Sequence, residues 1–202
     1  MKRIGVLISG RGSNLQALID AQARGELGGE IVIVLSNKSN ALGLERARKA
    51  GIPTEVVTKN LHPDREKFDR YVMQVLDEYK VELVVLAGFM RILSDIFVKS
   101  YTNKIINVHP SLLPSFKGVK AQWQAIEHGV KIAGCSTHFV TSEMDDGPVI
   151  LQKSVPVFED DTGDSLASRI LPLEHSILVS SVRLFCEERL RVDGRRVRII
   201  ES

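Results

Sequence analysis

Short runs rich in Val and Ile alternate with amphipathic stretches through the first half of the chain, and few folds accommodate that alternation. Arg3 to Ser9, Glu30 to Ser36 and Leu83 to Ala87 have the composition of strands buried on both faces of a parallel sheet. Helical patterns separate them. Ser13 to Ala23 closes at Gly25, and Ala41 to Ala50 closes at Gly51 with Pro53 just beyond, the usual arrangement of a helix stop. From Asp64 to Tyr79, Phe68, Tyr71, Val72, Val75, Leu76 and Tyr79 recur at spacings that put them on one face, so this helix must lie on the sheet. The pattern is βαβαβαβ and predicts an α/β fold with a doubly wound, mostly parallel sheet and a Rossmann-like N-terminal half. Ligands are expected beyond the C-terminal ends of the strands.

The second half departs from this rhythm. Ile105 to Val108, Ala133 to Val140 and Val149 to Phe158 read as strands, with one helical stretch between them around Ala121 to His128, which predicts mixed parallel and antiparallel pairing. A long helical pattern runs from Asp164 to about Glu188, but Pro172 lacks an N–H and its ring clashes with the preceding turn. Two helices, or one bent near Ile170, are expected. Leu190 to Ile200 reads as a hairpin about Asp193-Gly194, and its Arg189, Arg191, Arg195, Arg196 and Arg198 read as a solvated face rather than an anion site.

The chain has 202 residues, 44% of them hydrophobic, enough for one globular domain around a single core. With 27 basic and 25 acidic residues the net charge is only +2, so nothing in the balance argues for nucleic acid or a membrane, and a small-molecule partner is expected. The apolar run after Met1-Lys2-Arg3 is too short for a signal peptide or a membrane helix, which predicts a cytoplasmic protein. Cys135 and Cys186 lie far apart without a Cys-x-x-Cys or a nearby His pair, so neither a disulfide nor a metal site is expected, and both read as reduced packing residues.

Two places carry chemistry. Ser9-Gly10-Arg11-Gly12-Ser13-Asn14 lies between the first strand and the first helix, where free N–H groups and the helix dipole favour an anion. Leu15 stands where a dinucleotide motif has its third glycine, and the second strand ends Ser36-Asn37 without the acidic residue that holds a ribose. One terminal phosphate fits this loop better than two; the plainer alternative is a tight turn with Ser13 as N-cap. Further on, alternation puts Asn107 and His109 on one side of a strand ending at Asn107-Val108-His109-Pro110. A lone strand histidine is more often structural. With Asp145, however, the three could perform acyl transfer to an amine: Asn107 stabilising an oxyanion, His109 moving the proton, and Asp145 favouring the imidazolium. No Ser or Cys nucleophile motif is present, so direct attack by the substrate amine is the simpler mechanism.

The chain resembles the folate-dependent formyltransferase family across nearly its whole length. The resemblance runs through Ile8 to Ala17, Ala87-Gly88-Phe89-Met90-Arg91-Ile92-Leu93, Asn107 to Pro114, His138-Phe139-Val140 and Asp145 to Gln152, in the family's order and spacing. It implies a formyltransferase fold over 1–202, with a phosphate-binding βα half (1–100) followed by a catalytic and folate-binding half. It further implies 10-formyltetrahydrofolate as donor without a metal, glycinamide ribonucleotide as acceptor in purine biosynthesis, and a monomer or homodimer. By the same resemblance Asn107, His109 and Asp145 are catalytic, Gly12, Ser13 and Asn14 hold the substrate phosphate, and Glu174 the ribose. Arg65, Met90, Arg91, Ile92 and Leu93, with Asn107, fall where the family binds the folate. On their own, Met90 to Leu93 would be read as core, and for Ile92 that role stays open. His138 matches a family histidine near the site, yet its apolar strand allows a core role equally, and it is left outside the catalytic set.

Three departures bear on these roles. Asp146 replaces a small residue, so repulsion between adjacent carboxylates could raise the pKa of Asp145 if both face the site. Gln122 stands about where many members have a histidine, which leaves the role of the preceding loop in doubt. Leu171-Pro172 precedes Glu174 where the family is more polar. The rival readings are a hydrolase that deformylates the folate, whose extra domain ahead of the catalytic part is not expected here; transfer to methionyl-tRNA, which calls for an added RNA-binding domain; and a non-catalytic nucleotide-binding module.

Overall fold

The computed structural model describes residues 1–60 and 64–201. The elements follow as β1 (Lys2–Ile8), α1 (Ser13–Ala23), β2 (Gly29–Ser36), α2 (Leu42–Lys49), β3 (Thr54–Val56), α3 (Arg65–Glu78) and β4 (Leu83–Leu86). After these come α4 (Asp95–Ser100), β5 (Ile105–His109), α5 (Ala121–Glu127), β6 (Ile132–Phe139), β7 (Val149–Pro156), α6 (Gly163–Cys186), β8 (Leu190–Asp193) and β9 (Arg196–Ile199). They build one nine-stranded sheet in the order β3-β2-β1-β4-β5-β6-β7-β9-β8. The strands from β3 to β5 pair in parallel, β6 and β7 run antiparallel, and the β8–β9 hairpin extends the sheet beyond β7. The mostly parallel N-terminal half and the mixed C-terminal half are therefore as the sequence predicts.

Alternation along the strands decides which helices cover which face. Ile4, Val6 and Ile8 of β1 enter one apolar layer with Leu15 and Leu18 of α1, Leu44 of α2, Ala125 of α5, and Leu166, Ile170 and Leu178 of α6. Leu7 enters the other, with Phe68, Val72 and Leu76 of α3 and Phe97 of α4. Each of these fully buried large side chains contributes roughly 1.5–3 kcal/mol relative to exposure, so the two layers clamp the sheet. Side chains also define helix starts: Asp64 accepts from the Lys67 N–H at 2.9 Å, and Thr162 and Ser165 form a reciprocal capping box at the head of α6.

Of the two outcomes expected at Pro172, division into two helices is not found: α6 runs 24 residues through it. An interior proline costs about 3 kcal/mol, but Leu166 and Ile170 before it and Ile177, Leu178 and Val182 after it are all buried. Tertiary packing on both sides of Pro172 outweighs the local penalty. The six-residue α4 has no counterpart in the sequence reading, because fewer than two turns show no usable periodicity. Both cysteines are free, Cys135 buried and Cys186 partly so. No helix among the described residues is long and apolar enough to cross a membrane.

Candidate active site

The sheet order reverses at β1, which has β2 on one side and β4 on the other, and the segments leaving the C-terminal ends of β1, β4 and β5 meet there. Ser9, the first residue past β1, joins them. Its Oγ donates to Asn37 Oδ1 at 2.6 Å and accepts from the Met90 N–H at 2.8 Å, while its own N–H donates to Gly88 O at 3.1 Å.

Gly12, with φ 71°, is the N-cap of α1, and no side chain caps the helix. Ser13 is thus the first helical residue and not the cap. Because the first helical bond is Gln16 N–H to Gly12 O at 2.9 Å, the N–H groups of Ser13 and Asn14 have no intrahelical acceptor. A Cβ on Gly12 would lie 2.6 Å from Gly43 Cα, so α2 approaches the loop too closely for any side chain. The loop is held from that side by Gly43 N–H to Gly10 O at 3.0 Å and Arg46 Nε to Arg11 O at 2.9 Å. From the opposite side comes Glu174 of α6, only 8% exposed, accepting from Asn14 Nδ2 at 3.2 Å. Burial pushes the Glu174 carboxyl above the usual range, and the Asn14 hydrogen bond only partly opposes it. Asn14 Oδ1 is buried and has no hydrogen-bond partner among the described residues. Gly12, Ser13, Asn14 and Glu174 thus converge on one place.

The segment after β4 forms a second wall. Arg65 Nη2 donates to Leu93 O, and the Arg91 guanidinium lies 3.9 Å from the centre of the Phe68 ring. Leu93 is buried, but Met90 is 70% and Ile92 56% exposed, so the core role left open for Ile92 is incorrect. Apolar side chains held outward beside a polar crevice offer a face to an aromatic ligand.

On β5, Asn107 and His109 point to the same side. His109 Nε2 lies 2.8 Å from Phe116 O and its Nδ1 3.4 Å from Asp145 Oδ2. Carbonyl and carboxylate oxygens only accept, so both contacts are hydrogen bonds only when the ring is an imidazolium. Asp145 Oδ2 also accepts from the Gly118 N–H at 2.9 Å, and Oδ1 lies 3.6 Å from His138 Nε2. His138 stands opposite Asn107 in the antiparallel β5–β6 ladder, with Asn107 Nδ2 3.2 Å from His138 Nε2. Burial is the largest influence on the Asp145 carboxyl and raises its pKa; His138, the Gly118 N–H and the charge on His109 together outweigh it, and the net shift is downward. Asp145 is therefore an anion in the middle of the cluster.

The sequence matches a family model described as formyl transferase over residues 2–182. The chain belongs to the formyl transferase family. It is 46% identical over 201 residues to a phosphoribosylglycinamide formyltransferase of Escherichia coli K12, covering 96% of this chain and 95% of that protein. It is also 47% identical over 190 residues to the trifunctional purine biosynthetic protein adenosine-3 of Bos taurus, covering 94% of this chain but 19% of that protein. Against such trifunctional relatives the chain thus spans about a fifth of their length or less. Among solved structures, glycinamide ribonucleotide transformylase 1 from Symbiobacterium toebii superposes with a TM-score of 0.98 at 50% identity, covering 100% of this chain and 95% of that one. A formyltetrahydrofolate deformylase from Pseudomonas syringae superposes with a TM-score of 0.92 at 30% identity, covering 99% of this chain and 66% of that one.

Two details of this formyl transferase differ from the sequence reading. Asp146 faces away from Asp145 and pairs with Lys117 and with Arg195 Nη1 at 2.8 Å, contacts that hold its carboxyl down at about 2. The expected upward push on Asp145 from its neighbour does not arise. The same pairing takes Arg195 out of the purely solvated arginine face. Of the two roles left open for His138, the structure shows hydrogen-bonding contacts: it lies between Asn107 and Asp145. The 116–118 segment, whose role was left in doubt, supplies a carbonyl to His109 and an N–H to Asp145, a placement that depends on the loop path. No group of three or more His, Cys, Asp or Glu side chains is placed to hold a metal among the described residues.

Proposed function

We propose that the chain transfers the formyl group of 10-formyltetrahydrofolate to the amine of glycinamide ribonucleotide, a step of purine biosynthesis, by direct attack of the amine. One observation supports the reading: the glycine loop with Glu174 and the Asn107–His109–Asp145 cluster lie at the C-terminal ends of β1 and β5, parallel strands with only β4 between them. Gly12, Ser13 and Asn14 take the phosphate on free N–H groups at the helix head, and Glu174 takes the ribose hydroxyls. Arg65 and the exposed Met90 and Ile92, with Arg91, Leu93 and Asn107, hold the folate. The amine nitrogen bonds to the formyl carbon, whose oxygen becomes an oxyanion. Asn107 and the imidazolium of His109 stabilise it, with His109 exchanging its bond to Phe116 O for one to substrate. The intermediate collapses by breaking the carbon bond to the folate nitrogen, and the proton lost by the amine reaches that nitrogen through the cluster. The Asp145 carboxylate, 3.4 Å from His109 Nδ1, stabilises positive charge on the ring as the proton moves.

Hydrolysis is the competing reading, favoured by the similarity to a deformylase fold. Folate turnover measured with and without glycinamide ribonucleotide separates them: transfer predicts turnover that depends on the ribonucleotide and yields its formyl derivative. Turnover independent of it would establish the hydrolase instead.

A further inference from the structure

Asp145 has φ 49°, in the left-handed region, which is uncommon for a residue with a Cβ although Asp tolerates it better than most. The surroundings are visible. Asp146, next in the chain, is held from two sides. Lys117 reaches Oδ1, while Arg195 spans its carboxylate and its main chain, Nη1 to Oδ2 at 2.8 Å and Nη2 to the carbonyl O at 3.0 Å. Lys117 in turn precedes Gly118, whose N–H donates to Asp145. Two loops, 116–118 and 145–146, are thus joined by neighbouring contacts, one pair buried at His109 and one pair at the surface. Arg195 brings in a third element. It occupies the turn of the β8–β9 hairpin, which meets β7 in the ladder at Val149 and Arg196. Gly147 closes the other side, since a Cβ there would strike Phe139 O, so the 145–147 backbone has little room to relax.

We infer that Asp146 and Arg195 are positioning residues of the formyl transfer: their ion pair, completed by Lys117, fixes the backbone that aims the Asp145 carboxylate at His109 and His138. The inference rests on the proposed function, in which the Asp145 carboxylate faces His109 and stabilises positive charge on its ring. Neither residue touches the crevice groups named above, so their removal acts on turnover and not on substrate binding. The C-terminal hairpin thereby becomes part of the catalytic apparatus at a distance.

Steady-state kinetics on the intact chain tests this with Arg195→Ala, Arg195→Lys, Asp146→Asn, the Arg195→Ala/Asp146→Asn double variant and Asp145→Asn. Arg195→Ala is expected to lower kcat about three- to tenfold while the KM values for ribonucleotide and folate stay within about twofold. Lysine, which keeps the charge but loses the two-pronged contact, should recover part of the loss. The double variant should be no worse than the poorer single one, because both remove the same clamp. Raising the salt concentration should depress kcat more in the parent than in Arg195→Ala, since the pair is exposed to screening. A kcat for Arg195→Ala within about 1.5-fold of the parent, when Asp145→Asn is strongly impaired, overturns the inference alone, and such a null is what an ordinary surface pair gives. An unimpaired Asp145→Asn overturns the role given to Asp145 in the proposed function, and the inference with it.

Discussion

The two parts of the crevice are built by opposite means. At the glycine loop the groups proposed to face the ligand are largely main-chain N–H groups from consecutive residues, Gly12 to Asn14, and the helix that supplies them begins there. At the acid–base cluster they are side chains, brought from β5, β6 and a loop, and each is oriented by another: Asp145 by the Gly118 N–H, His109 by Asp145 and Phe116 O, Asn107 by His138. A site made of backbone tolerates changes in side-chain chemistry but not in steric bulk. The other tolerates changes in bulk better than the loss of a charge.

That contrast is open to attack from both ends. The largest effect is expected from Asp145→Asn, which keeps the shape and removes the anion: kcat should fall about 10²-fold or more with both KM values little changed, as single-turnover and equilibrium binding measurements can establish. At the loop, Gly12→Val should raise the KM for the ribonucleotide about tenfold or more and leave that for the folate nearly unchanged, because the Cβ collides with Gly43 and the residue must hold a left-handed φ. Equal effects on both substrates would mean that the crevice is one rigid unit. Glu174→Gln retains an acceptor for Asn14 but loses the charge, and should raise the ribonucleotide KM roughly tenfold. The smallest effect belongs to Ile92→Ser, about threefold in the folate KM, if the exposed side chain is an apolar wall.

Glu174 also carries a stability signature. Its folded carboxyl titrates above the unfolded value, so its contribution is fully present below the ordinary carboxylate range and is lost as pH rises through the folded value. The melting temperature of Glu174→Gln relative to the parent should therefore climb as the pH rises above the ordinary carboxylate range. A flat difference would mean that the carboxylate finds its compensation elsewhere.

What could be read from the sequence follows the same division. The parallel strands, their helices and the glycine loop are encoded in contiguous stretches with a clear period, and each appears where the pattern puts it. Asn107 and His109 are two residues apart on one strand, so alternation alone pairs them. His138 is 31 residues from its partner Asn107, and only the antiparallel β5–β6 register brings them face to face. The direction of Asp146 depended on a hairpin nearly fifty residues downstream, at Arg195. Pro172 left two outcomes open for a related reason: its penalty is local, whereas the packing that keeps α6 in one piece comes from buried residues on both sides of it.

The spacing of Asn107 and His109 has one more consequence. Two residues along an extended strand are about 7 Å apart, a separation set by covalent geometry and by hydrogen bonds to strands on either side. In the proposed reaction that strand sets the spacing of the two side chains, so drift in the surrounding loops changes the position of the Asp145 charge before it changes this spacing.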